Sequence, residues 1–467
     1  MLAMTASFAK DYSHYYKNLP VEIKQVTPVV VPDTRVSITD FGGVADGKTL
    51  NTEAFKKAIK ALVKQGGGHL DVPAGTWLTG PIELKSNIDL HIEKGATILM
   101  STDKTLYRRD GNKKCDAGIR ASKVENVCIT GQGTIDGQGQ YWRPVKKIKT
   151  TDEEWAWCIN LGGTLNEKGD LWLPYNLNNG IPSLGETAEE QEAMRNHLVQ
   201  ITDSKNVLME GVTLLNSPKF HFVPTRCQNL IIDGVTVECP WNAQNGDAID
   251  PGNVQTALIV GCTISCGDDG ICMKGGVGEA GVKAGPNCDF LIQDNTVYRA
   301  HGGFVIGSEF CGGMHRLIVR NCRFEGTDIG LRFKSAPGRG GTCSDIYCYD
   351  IEMKDIVNEA ILFQTSYADQ GAVLSATAGD DKSKFFPDFC NVSISNVKVN
   401  GAKTAMKIGG MPGYPVHDIS LTNVKMKNCT NGLILKYAEN ITLRKTKIKA
   451  KNPNDIDPET CRQIRLK

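Results

Sequence analysis

A short unit recurs along the second half of this 467-residue chain: a β-rich stretch, a Gly, Asn or Asp corner, then another β-rich stretch. It reads NVLMEGVTL, NLIIDGVTV, ALIVGCTI, FLIQDNTV, LIVRNCRF, IYCYDIEM, VSISNVKV, ISLTNVKM and ITLRKTKI. The corners are Gly211, Gly234, Gly261, Asn295, Asn321, Asp350, Asn396, Asn423 and Lys445, and all but one of the gaps between them run from 22 to 34 residues. A period of this size marks a solenoid, in which each unit buries its apolar face only against its neighbours. Four residues before each corner stands an apolar residue (Val207, Leu230, Ala257, Leu291, Leu317, Ile346, Val392, Ile419, Ile441). One residue after it stands a small, mostly β-branched one (Val212, Val235, Cys262, Thr296, Cys322, Ile351, Val397, Val424, Thr446). Gly, Asn and Asp suit a left-handed bend that other residues enter only at a cost, so Lys445 is the poor fit of the series. About 25 residues hold three short strands and their turns at ~3.3 Å per residue. The pattern predicts an all-β, right-handed parallel β-helix. A leucine-rich repeat is disfavoured by the missing LxxLxL pattern, and an antiparallel β protein by repeat corners that are not Asn-Gly hairpin turns.

Length alone suggests several globular domains, but a solenoid is one continuous unit. Charge is balanced, with 53 Lys+Arg against 52 Asp+Glu, so no field for nucleic acid or a membrane surface is implied. No run is long enough to span a bilayer. The 49 glycines and 7% aromatic content fit a thin-cored, turn-rich β protein. Sixteen cysteines allow a few disulfides but not a dense framework in a chain this long. Cys262 and Cys322 fall at the inward stacking position and read as small core hydrophobes. The start, MLAMTASFA, resembles the tail of a secretion signal without its basic beginning, and the expected location is secreted or periplasmic.

Residues 1–34 read as a polar lead-in, 35–450 as the β-helix and 451–467 as an extended C-terminal segment. Near the start of the helix, Asn51 or Thr52 is placed to cap an α-helix with Phe55, Ile59 and Leu62 on its apolar face. The glycines at 66–68 end it. Such a helix would close the open N-terminal end of the tube, and coils then begin at Leu70, Ile88 and Val127. Residues 137–195 break the rhythm and hold Trp142, Trp155, Trp157 and Trp172, aromatic surfaces suited to walling a groove. A second insertion lies between Ile351 and Val392. Asp380-Asp381 reads as a solvated loop. Asn391, Asn428 and Asn440 match the glycosylation pattern, a short match common by chance.

Four polar clusters fall on consecutive coils: Asn245-Gly246-Asp247 with Asp250, Asp268-Asp269, His301 with Gly302, and Arg332-Phe333-Lys334. Neighbouring coils lie ~4.8 Å apart, so residues one coil apart in sequence become neighbours in space. Asp268 and His301 sit at nearly the same offset from their corners, and Asp247 precedes Asp268 by about one coil. The spacing gathers carboxylates, an imidazole and two cations on one face. Cleavage of a glycosidic bond needs one protonated acid at the bridging oxygen and one carboxylate to activate water. Crowded carboxylates raise one another's pKa, which lets one keep its proton near neutral pH. Arg332 and Lys334 alternate on one strand face and suit an anionic sugar. Lys274 and Arg339 are further candidates for carboxylate binding, and Asp250 for ordering Asp247.

At these clusters, and in the N-terminal segment, the chain resembles the polygalacturonases, glycoside hydrolase family 28, over roughly residues 36 to 450. The family motifs Asn-Thr-Asp, Asp-Asp, Gly-His-Gly and Arg-Ile-Lys read here, in order, Asn245-Gly246-Asp247, Asp268-Asp269, Ala300-His301-Gly302 and Arg332-Phe333-Lys334. The resemblance implies an inverting hydrolase with Asp268 as general acid, Asp247 and Asp269 holding the water, and His301 tuning the acid. It places the galacturonate on Arg332 and Lys334 and puts Asn245 in the substrate-binding motif. HGGFVIGSE and TDIGLRFKSAPGRGG are more like the exo-acting members, whose groove needs one end blocked; the Trp-rich insertion is the candidate block. Gly246, Ala300 and Phe333 depart from the family pattern. The expected substrate is a pectic polysaccharide, cut by a monomer without cofactor or metal. Rivals on the same scaffold are a rhamnogalacturonan hydrolase, a Ca²⁺-dependent pectate lyase and a non-enzymatic adhesin of the tailspike kind.

Overall fold

The computed structural model describes residues 10–108, 115–181, 184–367 and 382–467, so MLAMTASFA and Asp380-Asp381 lie outside it. Strands from successive coils stack in parallel into a 14-stranded sheet that starts at Arg35–Ser37 and ends at Arg465–Leu466. A branched 16-stranded sheet and a four-stranded sheet form the other walls. The chain is a right-handed parallel β-helix. One apolar cluster fills the tube from Ile38 to Leu443.

The corners explain the regularity. Gly211, Gly234, Gly261, Asn321, Asp350, Asn396, Asn423 and Lys445 all have left-handed φ, between 49° and 74°. Lys445 thus takes the bend despite its unsuitable side chain. The fourth coil departs from the expected alignment by one residue. Its left-handed corner is Asp294, and the strand register pairs Phe290 with Ala257 and Leu317. Leu291 therefore faces outward, and Asn295 occupies the inward column expected for Thr296. Asn295 is 1% exposed; its amide donates to Ile259 O at 3.0 Å and accepts from Cys262 N at 2.9 Å. A polar side chain is tolerated there because both ends of the amide are bonded. A second left-handed column, unseen in the repeat, carries stacked asparagines: Asn126 to Asn87, Asn206 to Asn126 and Asn229 to Asn206, at 2.8, 2.8 and 3.0 Å.

The capping helix, α1 (Thr52–Lys64), buries Phe55, Ile59 and Leu62 as expected. Neither expected residue caps it through its side chain. Asn51 Oδ1 instead accepts from Val44 N, and Thr52 Oγ1 from Gly80 N, tying the helix to the loops around it. Gly68, at φ 141°, passes so close to Thr34 that a Cβ would lie 2.2 Å from its carbonyl oxygen.

Residues 10–34 cross the outer face of the 14-stranded sheet. Tyr12, Tyr16, Ile23 and Val26 cover Ile231, Leu258, Val260, Leu291 and Ile318, an apolar outward row that the repeat alone leaves unexplained. Within 145–193 lie an antiparallel sheet (Val145–Lys146, Leu171–Leu177, Gly162–Leu165) and helices α2 (Asp152–Asn160) and α3 (Ala188–Ala193). Trp172 is buried in that unit's own small core and Trp142 in the main core. At the C-terminus, Asp455–Ile456 and Arg465–Leu466 pair onto preceding strands. All sixteen cysteines are free, and only Cys115, Cys390 and Cys461 are not buried.

Candidate active site

The register decides which predicted residues meet. Ile249, Ile271, Phe304 and Leu331 pair in sequence across four coils. Counting from them, Asp269 is level with Asp247, and Asp268 with His301. The backbone confirms both: Ala248 N bonds Asp269 O at 3.0 Å, and His301 N bonds Asp268 O at 2.8 Å. The expected alignment of Asp268 with His301 holds, while the acid level with Asp247 is Asp269. Cys272, Val305 and Arg332 form one outward column; Lys274, Gly307 and Lys334 form the next but one. A Cβ at Gly307 would meet Lys274 Cδ at 2.8 Å, so that glycine makes room for the ammonium chain.

Asp268, Asp269 and His301 converge, with one donor atom of each within 4.8 Å of the others. His301 Nδ1 lies 3.0 Å from Asp268 Oδ1. Arg332 Nη1 and Lys334 Nζ lie 3.1 and 2.7 Å from the two oxygens of Asp269. The two expected sugar-binding cations are thus paired with the carboxylate of Asp269. Asp247 and Asp250 are both buried, with Asp247 Oδ1 and both Asp250 oxygens lacking a hydrogen-bond partner. Lys274 Nζ stands 3.8 Å from Asp247 and 3.9 Å from Glu309. Arg339 donates to Ser308 and lies 3.4 Å from Glu309, so it backs up Lys274 from behind. Asn245 accepts from Arg195 at 2.8 Å, which fixes its left-handed turn.

The environments push these acids apart. Burial raises Asp247 well above the usual carboxylate range, helped by Asp250 and Asp268. Burial also lifts Asp250 to about 7, against the pull of Lys274. Burial acts on Asp269 too, but Lys334 and Arg332 outweigh it and hold that group ionised. Asp268 is likewise held below its ordinary value, because the His301 ring outweighs its burial. Two carboxylates are therefore charged, and the neighbouring pair retains a proton. Such separation of titrating groups is what acid–base catalysis uses. The crowding argument thus yields a proton-holding carboxyl, but at Asp247–Asp250 in the free site.

Sequence reasoning missed Lys149 and Trp241. Lys149, from the non-repeating stretch, places Nζ 2.8 Å from His301 Nε2, 3.3 Å from Gly267 O and 4.7 Å from the Trp241 ring centre. Trp241 meets His301 edge-on at 5.6 Å. Lys149 on one side and Asp268 on the other fix the orientation of the imidazole, with Nδ1 aimed at Asp268. Lys149 is in no ion pair with a carboxylate among the described residues, and burial lowers its pKa. The insertion reaches the site through this lysine. Of its tryptophans, Trp142 and Trp172 are buried and cannot wall a groove, Trp157 is exposed, and the ring beside His301 belongs to Trp241, outside the insertion. Lys219 is a further cation in the region, its pKa lowered by burial and by Arg195. His197, stacked on Phe220 at 5.0 Å, is kept neutral by burial and by Lys219.

Acids, imidazole and cations so arranged fit hydrolysis of an anionic glycoside, and comparison with known proteins agrees. The Glycosyl hydrolases family 28 profile matches residues 64–157 and 156–384. A probable polygalacturonase of Vitis vinifera is 29% identical over 83% of this chain and 73% of its own length. An exo-poly-alpha-D-galacturonosidase of Dickeya chrysanthemi is 28% identical over 82% of this chain, which spans 65% of that enzyme. The crystal structure of an exopolygalacturonase from Thermotoga maritima superposes with a TM-score of 0.72 at 29% identity, covering 90% of this chain and 94% of that one. With the profile spanning well over half of its residues and the four motifs gathered around one site, the chain belongs to glycosyl hydrolases family 28.

Proposed function

We propose that this protein hydrolyses α-1,4-galacturonosidic bonds of polygalacturonate, removing units from a chain end with inversion. The observation that carries the reading is the pairing of Asp268 with His301 beside Asp269, Arg332 and Lys334. In this reading a galacturonate carboxylate takes Arg332 and Lys334 from Asp269. Asp269 and Asp247 then hold and activate the attacking water. Asp268 delivers a proton to the leaving oxygen. The free site holds Asp268 ionised, so it must gain its proton as the substrate's negative charge arrives beside it and raises its pKa. His301, oriented by Lys149, governs that step. Asp250, Lys274, Glu309 and Arg339 set the charge around Asp247, and Asn245 with Arg195 shapes its loop.

End-on action is supported by the relatives named above and by Lys149 and Trp241, which crowd one side of the acids. All of the named residues come from one chain, which supports action as a monomer. A polymeric substrate supports a location outside the cytoplasm, and the burial of thirteen of the sixteen thiols is compatible with one. No helix among the described residues is long and apolar enough to cross a membrane. The test is digestion of polygalacturonate and rhamnogalacturonan side by side. Monomer or dimer released first from polygalacturonate supports the reading. A ladder of mixed oligomers overturns end-on action, and attack on rhamnogalacturonan alone overturns the substrate.

A further inference from the structure

Beyond the cleft, one side of the helix carries an excess of positive charge that folding does not explain. Lys398, Lys425 and Lys447 stand directly opposite one another on three successive coils. Lys427 and Lys449 lie two residues further along the last two of these strands, on the same outward face. All five are exposed. On earlier coils the same rows are neutralised. Glu325 lies 2.6 Å from both Arg323 and Lys354, and Glu352 lies 3.0 Å from Lys398. After Lys398 the acids stop. Lys425, Lys427, Lys447 and Lys449 are in no ion pair with a carboxylate among the described residues. Like charges placed directly opposite across strands destabilise a sheet. General basicity is not the cause, since the whole chain carries a net charge of only +1. The lysines border a groove of about 670 Å³.

We propose that this strip is a second binding site, one that docks the polymeric substrate by its uronate carboxylates away from the bond being cut. The proposal rests on the polygalacturonate reading above. Charge complementarity names the occupant: a polyuronate bears one carboxylate per sugar, and a sugar is of the same order of length as the ~4.8 Å rung that separates the stacked ammonium groups. The position fits as well. Arg332 pairs with Leu362, Leu362 with Lys407 and Lys407 with Ile434, so the coil of Lys425 is three rungs from that of Arg332. Three rungs are roughly 14 Å along the axis. Lys425 also precedes Ile434 by nine residues on its strand, up to ~30 Å further around the wall, so a long chain engaged at Arg332 reaches the strip and a trisaccharide, about three rungs long, does not. Each exposed ion pair is worth at most about 1 kcal/mol, but several on one chain act together by raising its local concentration.

The test compares the wild type with K425Q/K427Q/K447Q/K449Q, and with K425Q/K447Q as a milder variant, on trigalacturonate and on long polygalacturonate. The expected result is KM for the polymer raised about fivefold, with trigalacturonate kinetics unchanged. Salt at about 0.5 M erases the difference by screening exposed charges. In gels cast with polygalacturonate the wild type is retarded and the variant runs free. In gels cast with fully methyl-esterified pectin, which has the same backbone without the charge, the two run alike. An unchanged polymer KM with normal trigalacturonate turnover overturns the strip alone. Equal loss on both substrates also overturns it, by making the lysines structural. A wild type that leaves both galacturonates intact overturns the hydrolase reading on which the strip depends.

Discussion

Lys149 Nζ lies 2.8 Å from His301 Nε2, although the two residues are 152 positions apart. The contact links a segment outside the repeat to the imidazole that holds Asp268 at 3.0 Å. It orients the ring and leaves a half-buried ammonium in the site that is in no ion pair with a carboxylate among the described residues.

Replacing Lys149 by Met should therefore reduce kcat more than it disturbs folding. We expect a loss of about 10- to 100-fold, with the pH–rate profile displaced because a positive charge beside Asp268 is removed. Lys149→Arg should recover part of the rate. Steady-state kinetics across pH would check this, and an unchanged profile in Lys149→Met would remove the lysine from the site's chemistry.

Asp268→Asn should lower turnover of polygalacturonate by about 10³-fold or more while leaving the melting temperature near that of the wild type. A general acid matters least when the leaving group needs no proton. An aryl galacturonide with a good leaving group should thus rescue Asp268→Asn but not Asp269→Asn or Asp247→Asn. Rescue of Asp247→Asn instead would move the acid to the side that holds the proton in the free site.

The lifted pKa of Asp250 makes stability depend on pH. Its folded value is raised by burial from 3.8 to about 7. The folded chain therefore binds this proton more tightly than the unfolded chain does. Stability from this group is whole below pH ~4 and is lost as pH rises toward 7, by on the order of 4 kcal/mol. Asp250→Asn cannot ionise and should show a flatter melting curve between pH 4.5 and 7.5. Parallel slopes in thermal melts of the two proteins would contradict the assignment.

Asn295→Ala should destabilise the helix locally, since it strands the backbone N–H of Cys262 and the carbonyl of Ile259 in the core. A cost of about 2 kcal/mol is expected from urea unfolding, with catalysis intact at low temperature. A neutral effect would mean that the coil relaxes to re-pair those groups.

Asn295 also shows where reading the repeat fails. A corner of Asp-Asn offers two residues suited to a left-handed bend, and only the ladder to Gly261 and Asn321 selects Asp294. The N-terminal residues are similar. Their polar composition suggests a loose lead-in, yet Tyr12, Tyr16, Ile23 and Val26 find an apolar row whose members are scattered over four coils. In the site, the motif residues Asp247, Asp268, Asp269, His301, Arg332 and Lys334 were all legible, since they form four short polar clusters on consecutive coils and Asp268 and His301 keep nearly the same offset from their corners. Lys149 and Trp241 were not, because neither belongs to the period.

Periodicity along the chain was enough to determine the solenoid, its walls and the order in which the polar clusters stack, since these follow from local backbone preference and a repeating apolar pattern. Tertiary packing alone decided which acids are ionised, which cations are already paired and how the insertion enters the site. Those properties arise from burial and from contacts between residues 33 to 152 positions apart, and no spacing within the chain encodes them.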